Sequence, residues 1–86
     1  MNSFILRKYY NNGLKTLVYL NRQKGVAYYS DIESFLNRGR NQVSTILSKL
    51  ENDNLIRREK KQRPQKIFLT PTGEELLQTM LKELKG

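Results

Sequence analysis

Apolar side chains recur along the chain with two different periods, and the changes of period mark its elements. In RNQVSTILSKLENDN, Arg40 to Asn54, the residues Val43, Ile46, Leu47 and Leu50 fall at i, i+3, i+4 and i+7. That spacing collects side chains on one face of an α-helix, at about 100° per residue. It predicts a helix over 40–52, with Asn41, Ser44, Thr45 and Ser48 on the opposite face, Gln42 and Lys49 on one flank and Arg40 on the other. Leu14, Leu17, Val18 and Leu20 form a broader helical face between Asn12-Gly13 and Lys24-Gly25, which serve as start and stop signals. A third helix is expected from Ser30, because Ser30 and Glu33 have capping-box spacing and Ile32, Phe35 and Leu36 share one side. It should end at Asn37-Arg38-Gly39, with Gly39 taking the positive φ of the turn. The last helix opens at Thr70-Pro71, with Thr70 as cap and proline at the first helical position. Glu74 and Glu75 lie in its first turn, where the helix dipole favours acids, and Leu76, Leu77, Met80, Leu81 and Leu84 form a wide apolar stripe.

Between these helices the pattern shortens to strands. Val26-Ala27-Tyr28 is brief and β-leaning, while Leu55 to Glu59 and Gln65 to Leu69 are β-capable runs separated by Lys60 to Pro64. The last two are expected to pair as a hairpin with a basic tip. The predicted order is helix, short strand, helix, turn, helix, hairpin, helix, in one domain over residues 1–86. Within it, 1–13 form an arm or a helix extension, 14–69 the central unit and 70–86 the C-terminal helix.

Charge sharpens this picture. The 86 residues carry a net charge of +8, which gives so small a domain a field that attracts polyanions. From Arg38 to Lys66 there are nine basic residues and three acids, so a net +6 of that charge lies in one third of the chain. There is no cysteine and no histidine, which removes disulfides, thiolate nucleophiles, imidazole bases and Cys/His zinc sites. No acid pair has a base, a metal partner or a phosphate-cradling glycine loop beside it. An enzyme is not expected, and no cofactor or metal is assigned. No segment has the roughly 18–20 apolar residues of a membrane span, and the apolar run in MNSFILRKYY is too short for a signal peptide. A cytoplasmic location without membrane contact is therefore expected.

A helix whose outer side chains are short and polar can enter the major groove of DNA, which is about 12 Å wide. Asn41, Gln42, Ser44, Thr45 and Ser48 are of that kind, Arg38 and Arg40 stand at the helix start, and Lys49 lies on its flank. Arg57, Arg58, Lys60, Lys61, Arg63 and Lys66 supply cations for phosphates or the minor groove. With VSTILSKLENDNLIRRE followed by a basic turn and IFLTPTGEELL, the sequence resembles the winged-helix DNA-binding proteins. It is most similar to the MarR-like transcriptional regulators and their small archaeal and viral relatives. The resemblance implies an α+β, mainly α fold: a winged helix-turn-helix with a three-helix core, a two-stranded β-wing and a C-terminal helix. It also implies that the helix from Arg40 is the recognition helix, that Leu55 to Leu69 form the wing and that terminal helices make a homodimer. Leu77, Met80, Leu81 and Leu84 are the interface residues this suggests. The chain is shorter at both ends than full-length MarR-like proteins, and no small-molecule effector is assigned.

The function expected is therefore a sequence-specific regulator of transcription that binds double-stranded DNA. Its rivals are a replication or plasmid-maintenance DNA-binding module and a winged-helix adaptor for an acidic protein. Tyr9, Tyr10, Tyr19, Tyr28 and Tyr29 are expected to pack in the core or an interface.

Overall fold

The computed structural model describes residues 12–85, apart from the side chains of Leu84 and Lys85. The Ser3 to Tyr10 segment and the Leu84 interface assignment lie outside the described residues. The elements are α1 (Asn12–Arg22), β1 (Val26–Tyr28), α2 (Tyr29–Leu36), α3 (Arg40–Asn52), β2 (Ile56–Glu59), β3 (Lys66–Leu69) and α4 (Pro71–Lys85). This is the winged-helix arrangement: a helical core, a basic hairpin and a C-terminal helix.

Two helices end in the same way. After α1, Lys24 takes φ 61°, and the N–H groups of Gly25 and Lys24 donate to the carbonyls of Leu20 and Asn21 at 2.7 and 3.2 Å. After α3, Asn54 takes φ 63°, and Leu55 and Asn54 donate to Leu50 and Glu51, each at 2.9 Å. Both are Schellman closures, which satisfy the carbonyls a helix end leaves open. The end of α2 differs from the sequence-based expectation. Asn37, not Gly39, adopts the left-handed conformation, at φ 54°, and its N–H donates to the Glu33 carbonyl at 2.9 Å. Asparagine tolerates this region better than other residues with a Cβ, which frees Gly39 to stand extended as the N-cap of α3. The start of α2 also moves: the helix begins at Tyr29, and Asp31, not Glu33, reaches back to the Tyr28 N–H at 3.2 Å.

The sheet has three strands in the order β1-β3-β2, both pairings antiparallel. β1 is therefore not a free-standing piece of extended chain: Val26, Ala27 and Tyr28 pair with Phe68, Ile67 and Lys66. Alternation along the strands puts Ala27, Ile56, Arg58, Ile67 and Leu69 on the inner face and Val26, Tyr28, Arg57, Glu59, Lys66 and Phe68 on the outer one. Against the inner face lies a continuous core that includes Leu17, Leu20, Ile32, Val43, Leu47, Ile67, Leu77 and Met80, all fully buried. Removing each such side chain from water stabilises the fold by about 1.5–3 kcal/mol before entropy is counted. Leu77 and Met80 thus belong to this chain's own core. The apolar stripe they form is real, but these two residues are spent inside the monomer, and among the described residues Leu76 and Leu81 remain half-buried at the edge of that core.

The base of the hairpin is locked to α4 through Thr70. Its N–H donates to the Leu55 carbonyl at 3.1 Å and its hydroxyl donates to the Asn54 carbonyl at 2.7 Å. The same hydroxyl oxygen accepts the Gly73 N–H at 2.9 Å, so the residue that caps α4 also holds the strand that leaves α3. Gly73 is required by the same approach. A Cβ there would fall on the Leu55 carbonyl oxygen and lie 2.9 Å from Leu69 Cδ1.

Gly73→Ala should therefore destabilise the protein by about 1–3 kcal/mol in chemical denaturation, although glycine inside a helix ordinarily costs about 0.5–1 kcal/mol relative to alanine. A stabilised variant would show that α4 is free to move off β2.

Candidate nucleic-acid interface

α3 lies with Val43, Leu47 and Leu50 against the core, which turns Asn41, Gln42, Thr45 and Lys49 to solvent and leaves Ser44 and Ser48 half-buried beside the wing. The Thr45 hydroxyl donates to the Asn41 carbonyl at 3.0 Å. With its proton committed there, Thr45 offers an outside partner an acceptor oxygen and a methyl group.

Between the start of α2, the start of α3 and the wing runs an open groove of about 360 Å³. Arg40, Asn41 and Ser44 line it on one side, and Arg58, Arg63 and Gln65 on the other. Arg58 is the tie between these walls: its Nε donates to Gln65 Oε1 at 2.8 Å and its Nη1 to Ser48 Oγ at 3.4 Å. Guanidinium groups present planar forks of donors, so a groove holding three of them suits an acceptor-only anion such as phosphate. The groove carries one opposing charge, from Glu33 on α2.

The sequence-predicted residues divide. Arg40, Asn41, Ser44, Arg58 and Arg63 share the groove, and Ser48 joins it through Arg58. Gln42, Thr45 and Lys49 continue the exposed face of α3, Arg38 stands exposed in the turn before it, and Lys61 is exposed at the wing tip. Arg57 and Lys66 are on the other side of the sheet, where the Arg57 guanidinium stands 4.5 Å from the Phe68 ring centroid. Lys60 is turned back to Glu51 of α3, with 3.3 Å between Nζ and Oε1.

Of the tyrosines expected to pack in the core or an interface, Tyr29 is half-buried against the edge of the core, whereas Tyr28 is not buried. Tyr28 lies exposed on the outer sheet face, and Tyr29 lines the groove with its hydroxyl donating to the Arg40 carbonyl at 2.9 Å. Gln65 was likewise missed. Neither has a local signature, since each is placed by partners at least seven residues away in sequence.

The fold recurs in solved structures. MepR, a transcription regulator of the Staphylococcus aureus multidrug efflux pump MepA, is 32% identical over 87% of this chain and 57% of its own, with a TM-score of 0.74. The chain has the winged-helix fold seen in MarR-like regulators. A transcriptional regulator homologue from Pyrococcus horikoshii OT3 has the same fold, with a TM-score of 0.75 at 24% identity over 99% of this chain and 85% of that one. So does a MarR-family transcriptional regulator from Silicibacter pomeroyi, with a TM-score of 0.72 at 22% identity over 94% and 59%. The winged-helix chain thus spans little more than half the length of two of these proteins. No protein-family model and no curated protein matches the sequence. Among the described residues no helix is long and apolar enough to cross a membrane, and no cluster of acids could hold a metal ion.

The split among the wing cations has a direct test. Lys60→Gln should lower the salt concentration needed to elute the protein from heparin less than Arg63→Gln does, because an exposed ion pair already engages Lys60 while Arg63 lines the groove. Equal shifts would mean that the wing acts only through its net charge.

Proposed function

We propose that this chain is a sequence-specific regulator of transcription that binds double-stranded DNA as a homodimer inside the cell. The observation that carries the proposal is the shared groove: the polar face of α3 and the arginines of the wing line one concave surface. With α3 in the major groove, the wing lies across the adjoining sugar-phosphate strand toward the minor groove, so the groove of the protein straddles the backbone between them. The likeness to MepR, a transcription regulator, supports the same reading.

The chemistry divides the labour. Asn41 and Gln42 can make paired hydrogen bonds to adenine, and Thr45 offers its free acceptor to an amino group or its methyl to the methyl of thymine. Arg38, Arg40, Arg58, Lys61 and Arg63 hold phosphates or enter the minor groove, and this fixes register without reading bases. With Leu77 and Met80 in the core, the homodimer is built on Leu81 and the terminal segments. A two-fold dimer favours an inverted repeat with half-sites separated by about one helical turn, roughly 34–36 Å.

With about six to eight phosphates contacted, the slope of log K against log salt for duplex DNA should be roughly −5 to −7. A slope near zero would sink the proposal. Neutralising Lys60, Lys61 and Arg63 together should weaken binding to all duplexes about equally, whereas Asn41→Ala or Thr45→Val should change the consensus recovered from a random pool. Recovery of an unchanged consensus from both α3 variants would remove α3 as the reader.

A further inference from the structure

We infer that Tyr29 assembles Arg40 and Arg58 into a seat for a single backbone phosphate at the junction of α3 and the wing. The inference rests on the duplex-binding reading above and assigns that groove a specific ligand group. Tyr29 is the first residue of α2, directly after β1, and its N–H donates to the Gln65 carbonyl at 2.9 Å. Its hydroxyl donates to the Arg40 carbonyl at 2.9 Å. The ring is therefore anchored to the wing at one end and to the first turn of α3 at the other.

Both guanidinium groups gather on this ring. Arg40 Cζ is 5.8 Å and Arg58 Cζ 5.9 Å from its centroid. Two like charges carried on separate elements repel each other and would spread in water, and the electron-rich π-system of the ring offsets part of that repulsion. Arg58 has no freedom to turn away, because Gln65 and Ser48 hold two of its N–H donors. Arg58, Arg40 and Ser44 line the same groove.

A phosphodiester matches this geometry better than a base edge does. It is acceptor-only, it accepts guanidinium forks on two oxygens, and it neutralises both cations at once. A base edge would satisfy one fork and leave the second charge uncompensated. Tyr29 is in this scheme a positioning residue. It touches the arginines, and they touch the phosphate. Glu33 of α2, which lines the same groove, is the one charge there that opposes an anion.

The test compares wild type with Arg40→Gln, Arg58→Gln, the double variant, Tyr29→Leu and Tyr29→Phe, titrated with one duplex over a range of salt. If one phosphate is shared, each arginine variant lowers the magnitude of the log–log slope by about 0.9, and the double variant lowers it by the same amount rather than twice that. Tyr29→Leu should reproduce this loss, whereas Tyr29→Phe, which keeps the ring, should retain the wild-type slope. Far-UV circular dichroism checks that each variant is folded. A double variant that loses about 1.8 would place the arginines on separate phosphates and overturn the seat. An unchanged slope with altered preference at one base pair would overturn it in favour of a base contact. A wild-type slope near zero would strike at the duplex-binding reading instead. The seat is then judged by titrating inorganic phosphate and following the Arg Nε–Hε resonances. Arg40 and Arg58 should shift together in wild type and not in Tyr29→Leu, and no shift in either would overturn the proposal.

Discussion

The contact on which the rest of the molecule depends is the meeting of Thr70 and Gly73 with the Asn54-Leu55 turn. Three hydrogen bonds converge there, two from Thr70 to the carbonyls of Asn54 and Leu55 and one from Gly73 to the Thr70 hydroxyl. The absent side chain of Gly73 lets α4 approach the backbone of Leu55. The turn after α3 also begins β2, so fixing it sets the angle at which the wing leaves the helix. A wing with the same charges at another angle would not share a groove with α3. The small core is then sufficient, because α4 contributes Leu77 and Met80 to it and is held in place by its first turn.

The second level of order is polar. Arg58 reaches across from the inner face of the sheet to Ser48 of α3 while its neighbour Gln65 fixes it from β3's approach. Net hydrogen bonds of this kind contribute only about 0.5–1.5 kcal/mol each, and rather more when a charge takes part. Their consequence is positional: wing and helix move as one surface, so little ordering cost remains when a polyanion arrives.

Much of this was legible in the sequence where the determinants are local. The period of Val43, Ile46, Leu47 and Leu50 located α3, and the Thr70-Pro71 pair located the start of α4, because cap chemistry and helical spacing act within a few residues. The two-strand hairpin followed from its bracketing apolar runs. What escaped was non-local or shared. The pairing of β1 with β3 joins residues some 40 positions apart and has no turn signal. The stripe on α4 announced burial of Leu77 and Met80 but not the partner that buries them. Asn37 and Gly39 both suit a left-handed turn, and only the observed backbone separates them. The role of Tyr29 depends on Arg40 and Arg58, which tertiary structure alone brings to it. One point could have been read earlier: consecutive strand residues face opposite ways, so Arg57 and Arg58 could not both face α3.

That last point bears on how the protein survives at high concentration. β2 is an edge of the sheet, and a bare edge is a template for pairing with strands of other chains. Arg57, Arg58 and Glu59 fill all but the first of its positions, so charge flanks the unpaired backbone on both faces. An incoming strand would have to desolvate these groups before it could form a ladder. The charges of β2 therefore make this edge a poor template for fibril-like self-association.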